Sequence, residues 1–544
     1  MKRLMSLKTS NSFFYILLAL FVAWICLGAF PLVCYEADSK EVILGCDIMY
    51  RHGWSLPPIE SYEYRMQPLL TIMIVALKNI LPFLTCEQIY CLCTLLSGLL
   101  FLYGNIILAF LITKESKARI LVAAMLLPEV YAICMYPNAS IIPATCFVYS
   151  LILFMHHKNL FAGLLMCVAP LFRVDVVIVY PVIFPLFLYL GYSLRKSISA
   201  SVLYGVAVIV VDLFFFWLMK ADVLSAYIGY QGWNWAIQYW QVLFAVFAFY
   251  SLPYVILLPI GVYIYFKKRL WKEMFLIVLP IVLLHVVYRS MGCASKHYLY
   301  IVPFVIMLGV RSLSWLKAKV AGKPLMKWSV ILLTLALFVF SVRLSPQDRP
   351  WYDKDILYNG GIMIPFGSKE ISSYKMSAGL GAGQFVRTED EAMLASGHLF
   401  YSWYIHSYKS ELADQVSKTK EIVMTSSSAN IVTIGFGSWV SLSSSLLSDG
   451  FKYQTNDSDH KDLHAVISNG ETTYRIWNME YEDEGDIQTS FNKLINQLPL
   501  QFAGENTFVL VQIPRFVYYM DELMKDNDRI TKKTKFLYRI DCTP

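Results

Sequence analysis

Two carboxylates, Glu36 and Asp38, stand directly after a long apolar run, and Glu41 and Asp47 follow close behind. Carboxylates so placed can exchange protons with a hydroxyl held beside them. Cations that could hold an anionic group occur at the edges of later apolar runs. They are Arg173 in Phe172-Arg173-Val174-Asp175, then Arg289, and then Lys296 and His297 ahead of Tyr298. Arg65 lies in the same stretch as the carboxylates. The plain alternative for each is a solvated charge at a helix end. Ionisable groups in apolar surroundings are costly and usually functional, which favours Arg173 and its neighbour Asp175. A lysine at a helix end often snorkels, which leaves Lys296 and His297 open between the two readings.

The elements that must position these residues are membrane spans. Of the 544 residues only 16% are charged, against about 25% in ordinary soluble chains, and the deficit lies before Arg343. Runs of the length a bilayer requires, or slightly less, occupy Phe13–Cys34, Gln88–Ile112, Ile120–Tyr136, Ile141–Met155, Leu160–Leu171, Val174–Gly191, Ile198–Met219, Val242–Phe266, Met274–Tyr288, Tyr298–Leu316 and Trp328–Val342. If Lys2, Arg3 and Lys8 are cytoplasmic, every second loop should be basic too. They are: Lys114 to Arg119, His156 to Lys158, Arg195 and Lys196, Lys267 to Lys272, and Lys317 to Lys327. Counting the apolar run Pro68–Leu81 as a span would break this alternation, so it reads as a juxtamembrane or re-entrant helix. The pattern predicts about eleven spans, a cytoplasmic N-terminus retained as a signal anchor, and an extracytoplasmic C-terminus.

The chain then divides into residues 1–344, the membrane part, and residues 345–544, an extracytoplasmic α/β domain. In the latter, Glu421–Met424, Ile431–Gly435, Thr507–Ile513 and Phe536–Ile540 read as strands. Asp486–Leu498 and Ser438–Ser448 read as helices, the second stopped at Gly450. Ser426, Ser427 and Ser428 read as the end of a strand. The 11 cysteines contain no Cys-x-x-Cys pair, and a Cys34–Cys46 bridge is one of several pairings left open. Asp212 lies mid-span, where a structural hydrogen bond is the expected reading. The role of Glu129 is open, and the aromatic loop Lys220–Gln241 reads as an interfacial belt. No basic stripe suits nucleic acid, and no Walker A, Gly-x-Gly-x-x-Gly or His-Glu-x-x-His sequence occurs.

The order of features in Tyr35–Gln67 resembles the first loop of GT-C glycosyltransferases, particularly the protein O-mannosyltransferases and the lipid A aminoarabinose transferases. The matched residues are Asp38 with Glu36 two before it, an amphipathic stretch Ser39–Tyr50, Gly53-Trp54, Pro57-Pro58, and Gln67-Pro68-Leu69. The chain departs from that pattern in two places. Ala37 splits the acidic pair, and the short loop Tyr136–Ser140 offers Asn138 where an aspartate is common.

The resemblance implies a polytopic α-helical GT-C fold with juxtamembrane helices. It also implies an inverting transfer of a sugar from a polyprenyl-phosphate donor at the outer membrane surface. Asp38, with Glu36 as fallback, would take the proton of the attacking hydroxyl. Arg173, Lys296, His297, Arg289 and Arg65 would hold the donor phosphate. Trp54, Tyr64, Gln67, Asn138, Asp175 and Tyr298 would line the substrates. No metal site is assigned, and the residues lend a divalent ion no support. The partners implied are membrane lipid, the lipid-linked sugar, and a glycolipid, glycan or protein acceptor, in a bacterial plasma membrane. Two other classes compete. A secondary transporter or lipid flippase predicts internal repeats and charges near the midplane, and no repeat is found. A non-catalytic assembly protein predicts that Asp38 is dispensable.

Overall fold

The computed structural model describes residues 2–34, 37–52, 67–127, 130–131, 133–218, 239–291, 295–341, 356–359, 362–365, 401–434, 440–454, 463–479, 487–511 and 514–543. Contacts divide the chain into two compact units. One comprises Met1–Phe30, Arg65–Leu70 and Leu92–His406, and the other Pro31–Tyr64, Thr71–Cys91 and Ser407–Pro544.

The first unit is a helical bundle. Every apolar run read from the sequence contains helix, although three are broken. Ile120–Tyr136 becomes a helix Lys117–Met125 and a separate 3-10 turn Ile133–Met135. Pro128 falls between them, and the residue before a proline is pushed out of the α region. Val174–Gly191 becomes a 3-10 segment Val174–Val182 followed by the helix Ile183–Tyr189. Its β-branched valines and Pro181 disfavour a regular α-helix there. Tyr298–Leu316 starts as the 3-10 segment Ser295–Ile301 and turns α-helical at Val302–Lys319, with Pro303 in the first turn.

Among the described residues, four helical stretches are long and apolar enough to cross a bilayer: Ser12–Ala29, Cys86–Thr113, Leu194–Leu218 and Tyr298–Lys319. Leu194–Leu218 turns Leu203, Val206, Ile209, Leu213 and Trp217 outward. So much contiguous apolar surface would be strongly unfavourable in water and suits lipid. Bundle contacts rely on small residues, as lipid-embedded helices do. Gly261 of Tyr239–Lys267 and Gly309 of Val302–Lys319 let those helices meet. A Cβ on Gly261 would lie 2.7 Å from the Leu308 carbonyl oxygen, and one on Gly309 would lie 2.7 Å from Tyr254. The Tyr254 hydroxyl donates to the Ala123 carbonyl at 2.7 Å. Asp212 departs from expectation. It is buried, yet its Oδ1 has no hydrogen-bond partner among the described residues.

In chain order the strands are β1 Ile356–Asn359, β2 Ile362–Pro365, β3 Ser428–Ile434, β4 Lys452–Gln454, β5 Leu463–Ser468, β6 Thr473–Met479, β7 Thr507–Leu510, β8 Ile530–Lys532 and β9 Leu537–Ile540. β1 and β2 form an antiparallel hairpin in the first unit. The other seven form one sheet in the second unit, ordered β4-β5-β6-β3-β7-β9-β8. Its centre, β6-β3-β7, is parallel, and the outer pairs are antiparallel. Ala429 to Ile434 are buried without alternation, the pattern of a central strand covered on both faces. The helix Ile487–Gln501 lays down Phe491, Ile495 and Leu498, and Phe491 stacks on Phe516 with ring centres 5.1 Å apart.

Two local readings are corrected here. Glu421–Met424 is not a strand: the helix Tyr401–Val423 runs through it, because its polar spacing continues a helical face. The serine run does not end a strand but leads into β3, which Ser428 opens. Cys34 and Cys46 are both buried and no disulfide joins them; Cys46 Sγ faces the Thr71 carbonyl at 4.0 Å.

Candidate active site

Within the first unit, the two broken spans bring sequence-predicted residues together. The helix Asn159–Phe172 ends at Arg173, whose backbone is extended (φ −165°, ψ 120°). The chain then enters the 3-10 segment with Asp175 in its first turn. The Arg173 Nε donates to Asp175 Oδ2 at 2.8 Å, with the two side chains 11% and 5% exposed. The other carboxylate oxygen, Oδ1, accepts from the Tyr300 hydroxyl at 2.6 Å. Tyr300 belongs to Ser295–Ile301, the segment whose backbone also carries Lys296 and His297. The segment predicted to supply one set of cations is therefore bonded, through Tyr300, to the segment that supplies another.

Burial of a charge is tolerated when it is paired and hydrogen-bonded, and Asp175 is both. One carboxylate against one guanidinium leaves the pair with no net charge. Positive charge for an anionic ligand would then draw on Lys296, His297 and Arg289 as well. Arg289 lies one helical turn beyond His285 on Trp271–Met291. The His285 Nδ1 donates to the Ile281 carbonyl at 2.7 Å, and its ring centre is 5.1 Å from that of Tyr298, which is buried. Asn138 is also buried. Its amide nitrogen donates to the carbonyls of Ile133 (2.8 Å) and Tyr136 (3.2 Å), while its oxygen accepts from the backbone of Ser140 and Ile141. Its side chain thus holds the turn into Ile141–Met155.

The second unit holds the first-loop helix, Ala37–His52, with Asp38 in its first turn. A carboxylate at a helix N-terminus is favoured by the unsatisfied N–H groups there. Of Asp38, Arg289, Lys296 and His297 the structure describes the backbone only. Glu36, Trp54, Tyr64, Arg65, Glu129 and the aromatic loop from Lys220 to Gln238 lie outside the described residues. Gln67 is buried immediately before the helix Pro68–Ile80. At the C-terminal end of the first-loop helix, Asp47 is buried and accepts from Ser444, while burial pushes its carboxyl up to about 6.

The sequence reading missed three groups. Tyr300 carries no charge and gave no signal. Ser444 gave none beyond sitting in a serine-rich helix. Arg311 could have been found, because a charge inside an apolar run is conspicuous. It contacts Glu115 at 3.5 Å, Glu273 at 3.4 Å and the Tyr265 hydroxyl at 3.3 Å, and Glu115 also pairs with Arg119. That network ties together the ends of several helices beside the basic loops. Among the described residues no group of three or more His, Cys, Asp or Glu could hold a metal ion.

No family model and no curated protein matches the chain. Solved structures do. The crystal structure of ArnT from Cupriavidus metallidurans bound to undecaprenyl phosphate superposes with a TM-score of 0.56 and 11% identity, covering 97% of each chain. The same protein in the apo state gives 0.56 and 12%, covering 98% of each. With such low identity the likeness is one of architecture, and it extends over nearly the whole length. The chain has the fold of ArnT.

Proposed function

We propose that this protein is an inverting glycosyltransferase that moves a sugar from a polyprenyl-phosphate donor to an acceptor at the extracytoplasmic membrane surface. The observation that carries this reading is the nearly full-length likeness to a structure holding undecaprenyl phosphate. Residues 1–344 form the membrane part, with about eleven spans and a cytoplasmic N-terminus. Residues 345–544 lie outside, in a bacterial plasma membrane setting.

In the reaction, an acceptor hydroxyl gives its proton to the Asp38 carboxylate, with Glu36 as the fallback base, as its oxygen attacks the anomeric carbon. The bond from that carbon to the phosphate oxygen breaks, polyprenyl phosphate departs, and configuration inverts. Arg173, oriented by Asp175 and Tyr300, holds the phosphate together with Lys296 and His297, and Arg289 and Arg65 add positive charge. Trp54, Tyr64, Gln67 and Tyr298 line the substrates, and Asn138 shapes the turn beside them. The acceptor is a glycolipid, a glycan or a protein.

The test is incubation of purified protein with radiolabelled polyprenyl-phosphate sugars and a membrane extract. Covalent transfer by wild type, falling on the order of 10²–10⁴-fold in Asp38→Asn, is expected. Movement of the lipid across a vesicle membrane with no new glycosidic bond would make the protein a transporter instead.

A further inference from the structure

The helix whose first turn carries Asp38 is held at both ends by residues that take no part in the chemistry above, all within the second unit. Near its C-terminal end the Ser444 hydroxyl donates to Asp47 Oδ2 at 2.5 Å, with Asp47 only 6% exposed. Ser444 lies in Val440–Ser448, the helix that follows the central strand β3. Four residues beyond Asp47, Arg51 donates to the carbonyls of Leu447 and Ser448, the last two residues of that same helix. Those carbonyls lie at the negative end of the helix dipole, where the Leu447 carbonyl also accepts from the Gly450 N–H at 3.3 Å, so a guanidinium there is favourable. Residues four apart share one face of a helix. Asp47 and Arg51 therefore grip one partner helix, at its middle and at its end. The Lys78 ammonium and the Arg51 guanidinium both lie over the Tyr50 ring, at 5.4 and 5.8 Å.

The chain just ahead of the other end is tied down as well. The backbone N–H of Cys34 donates to Glu87 Oε1 at 2.8 Å. The Lys40 and Lys409 ammonium groups, both buried, act on that carboxylate, and Lys409 comes from the helix Tyr401–Val423 that leads to β3. A loop helix that needed only to be solvated would not bury an aspartate and two lysines to be held. At about 1.5 Å rise per residue it is a stiff rod, so fixing its far end fixes the direction of its first turn.

We propose that Asp47, Arg51 and Ser444 are positioning residues, which make the α/β sheet layer the support that aims the Asp38 turn at the reacting hydroxyl. This rests on Asp38 being the base. The expected signature is a loss of kcat without a loss of donor binding, because the phosphate-holding cations lie on other elements.

The test uses the full chain in detergent, as wild type, Ser444→Ala, Arg51→Gln and their double variant. Hydrogen–deuterium exchange is followed over residues 37–52. In the double variant, exchange there should rise on the order of tenfold, with Cys86–Thr113 and Tyr298–Lys319 unchanged. In the transfer assay kcat should fall on the order of tenfold, with KM for the radiolabelled polyprenyl-phosphate sugar unchanged. Asp47→Asn, which keeps an acceptor for Ser444, should lose less kcat than Asp47→Ala. Unchanged exchange over 37–52, an unchanged kcat, or exchange that rises throughout the second unit would each overturn the proposal. If Asp38→Asn transfers as well as wild type, the base assignment fails instead, and the exchange measurement still decides whether the helix is braced.

Discussion

The hydroxyl of Tyr300 donates to Oδ1 of Asp175 at 2.6 Å across 125 residues of sequence, while Asp175 Oδ2 is held by Arg173. Two 3-10 segments, each interrupting an apolar run, are joined at this carboxylate. The interruption matters because a continuous helix would bond its backbone internally and carry these side chains past one another. Here the chain changes direction at Arg173, and the carboxylate meets both partners.

Asp175→Ala removes a carboxylate paired with Arg173 in a nearly buried site, which should cost about 3–5 kcal/mol of stability. Tyr300→Phe removes one hydrogen bond and should cost about 1–3 kcal/mol. Denaturation midpoints in detergent check the order. A Tyr300→Phe loss equal to that of Asp175→Ala would mean that the ion pair contributes nothing of its own.

Asp47 makes the second unit pH-sensitive. Burial raises its carboxyl to about 6, and the Ser444 and Cys86 hydrogen bonds and the Lys78 and Arg51 charges pull it back only in part. The folded-state value lies above the unfolded one of about 3.9, so the folded state binds the proton more tightly. The stability this contributes is complete below about pH 4 and is lost as pH rises through about 6, on the order of 3 kcal/mol in all. Melting curves from pH 4.5 to 7 should show this slope in wild type and a flatter line in Asp47→Asn. Parallel curves would remove Asp47 as the source.

Gly261→Ala tests the close helix contact. The added Cβ would press on the Leu308 carbonyl oxygen at 2.7 Å, and a backbone atom cannot swing aside as a side chain can. Overpacking of this kind costs about 1–3 kcal/mol. Gly205→Ala, with nothing within 4 Å of its Cβ, should leave the midpoint unchanged or raise it slightly. Equal behaviour of the two variants would rule out the packing account.

The orientation can be read by labelling. A cysteine replacing the exposed Lys117 should react with a membrane-impermeant maleimide only after cells are opened, whereas one replacing the exposed Glu471 should react in intact cells. Reaction of the Lys117→Cys variant from outside would invert the topology and displace every proposed site residue.

Much of the membrane part was legible because spans obey a local rule. A length of apolar residues and the sign of the flanking loops each need only neighbours in sequence. Every run so read contains helix, and the run Pro68–Leu81, read as a juxtamembrane or re-entrant helix, contains the helix Pro68–Ile80. The helix from Ile487 and the strands at Thr507 and Leu537 were also legible, through periodicity. The false strand at Glu421 shows the limit of that signal, since four apolar and charged residues fit the last turn of a helix equally well.

Sequence alone therefore determined which stretches of this chain are apolar helices, since transfer of apolar surface out of water is additive along a run. It also offered Arg173 and Asp175 as a pair, because they are two residues apart. That Tyr300 completes the pair, and that Ser444 and the carbonyls of Leu447 and Ser448 hold the first-loop helix, was decided only by the tertiary structure. These partners lie 125 and about 400 residues away, and a hydrogen bond depends on where the folded chain brings its atoms together, which no local pattern encodes.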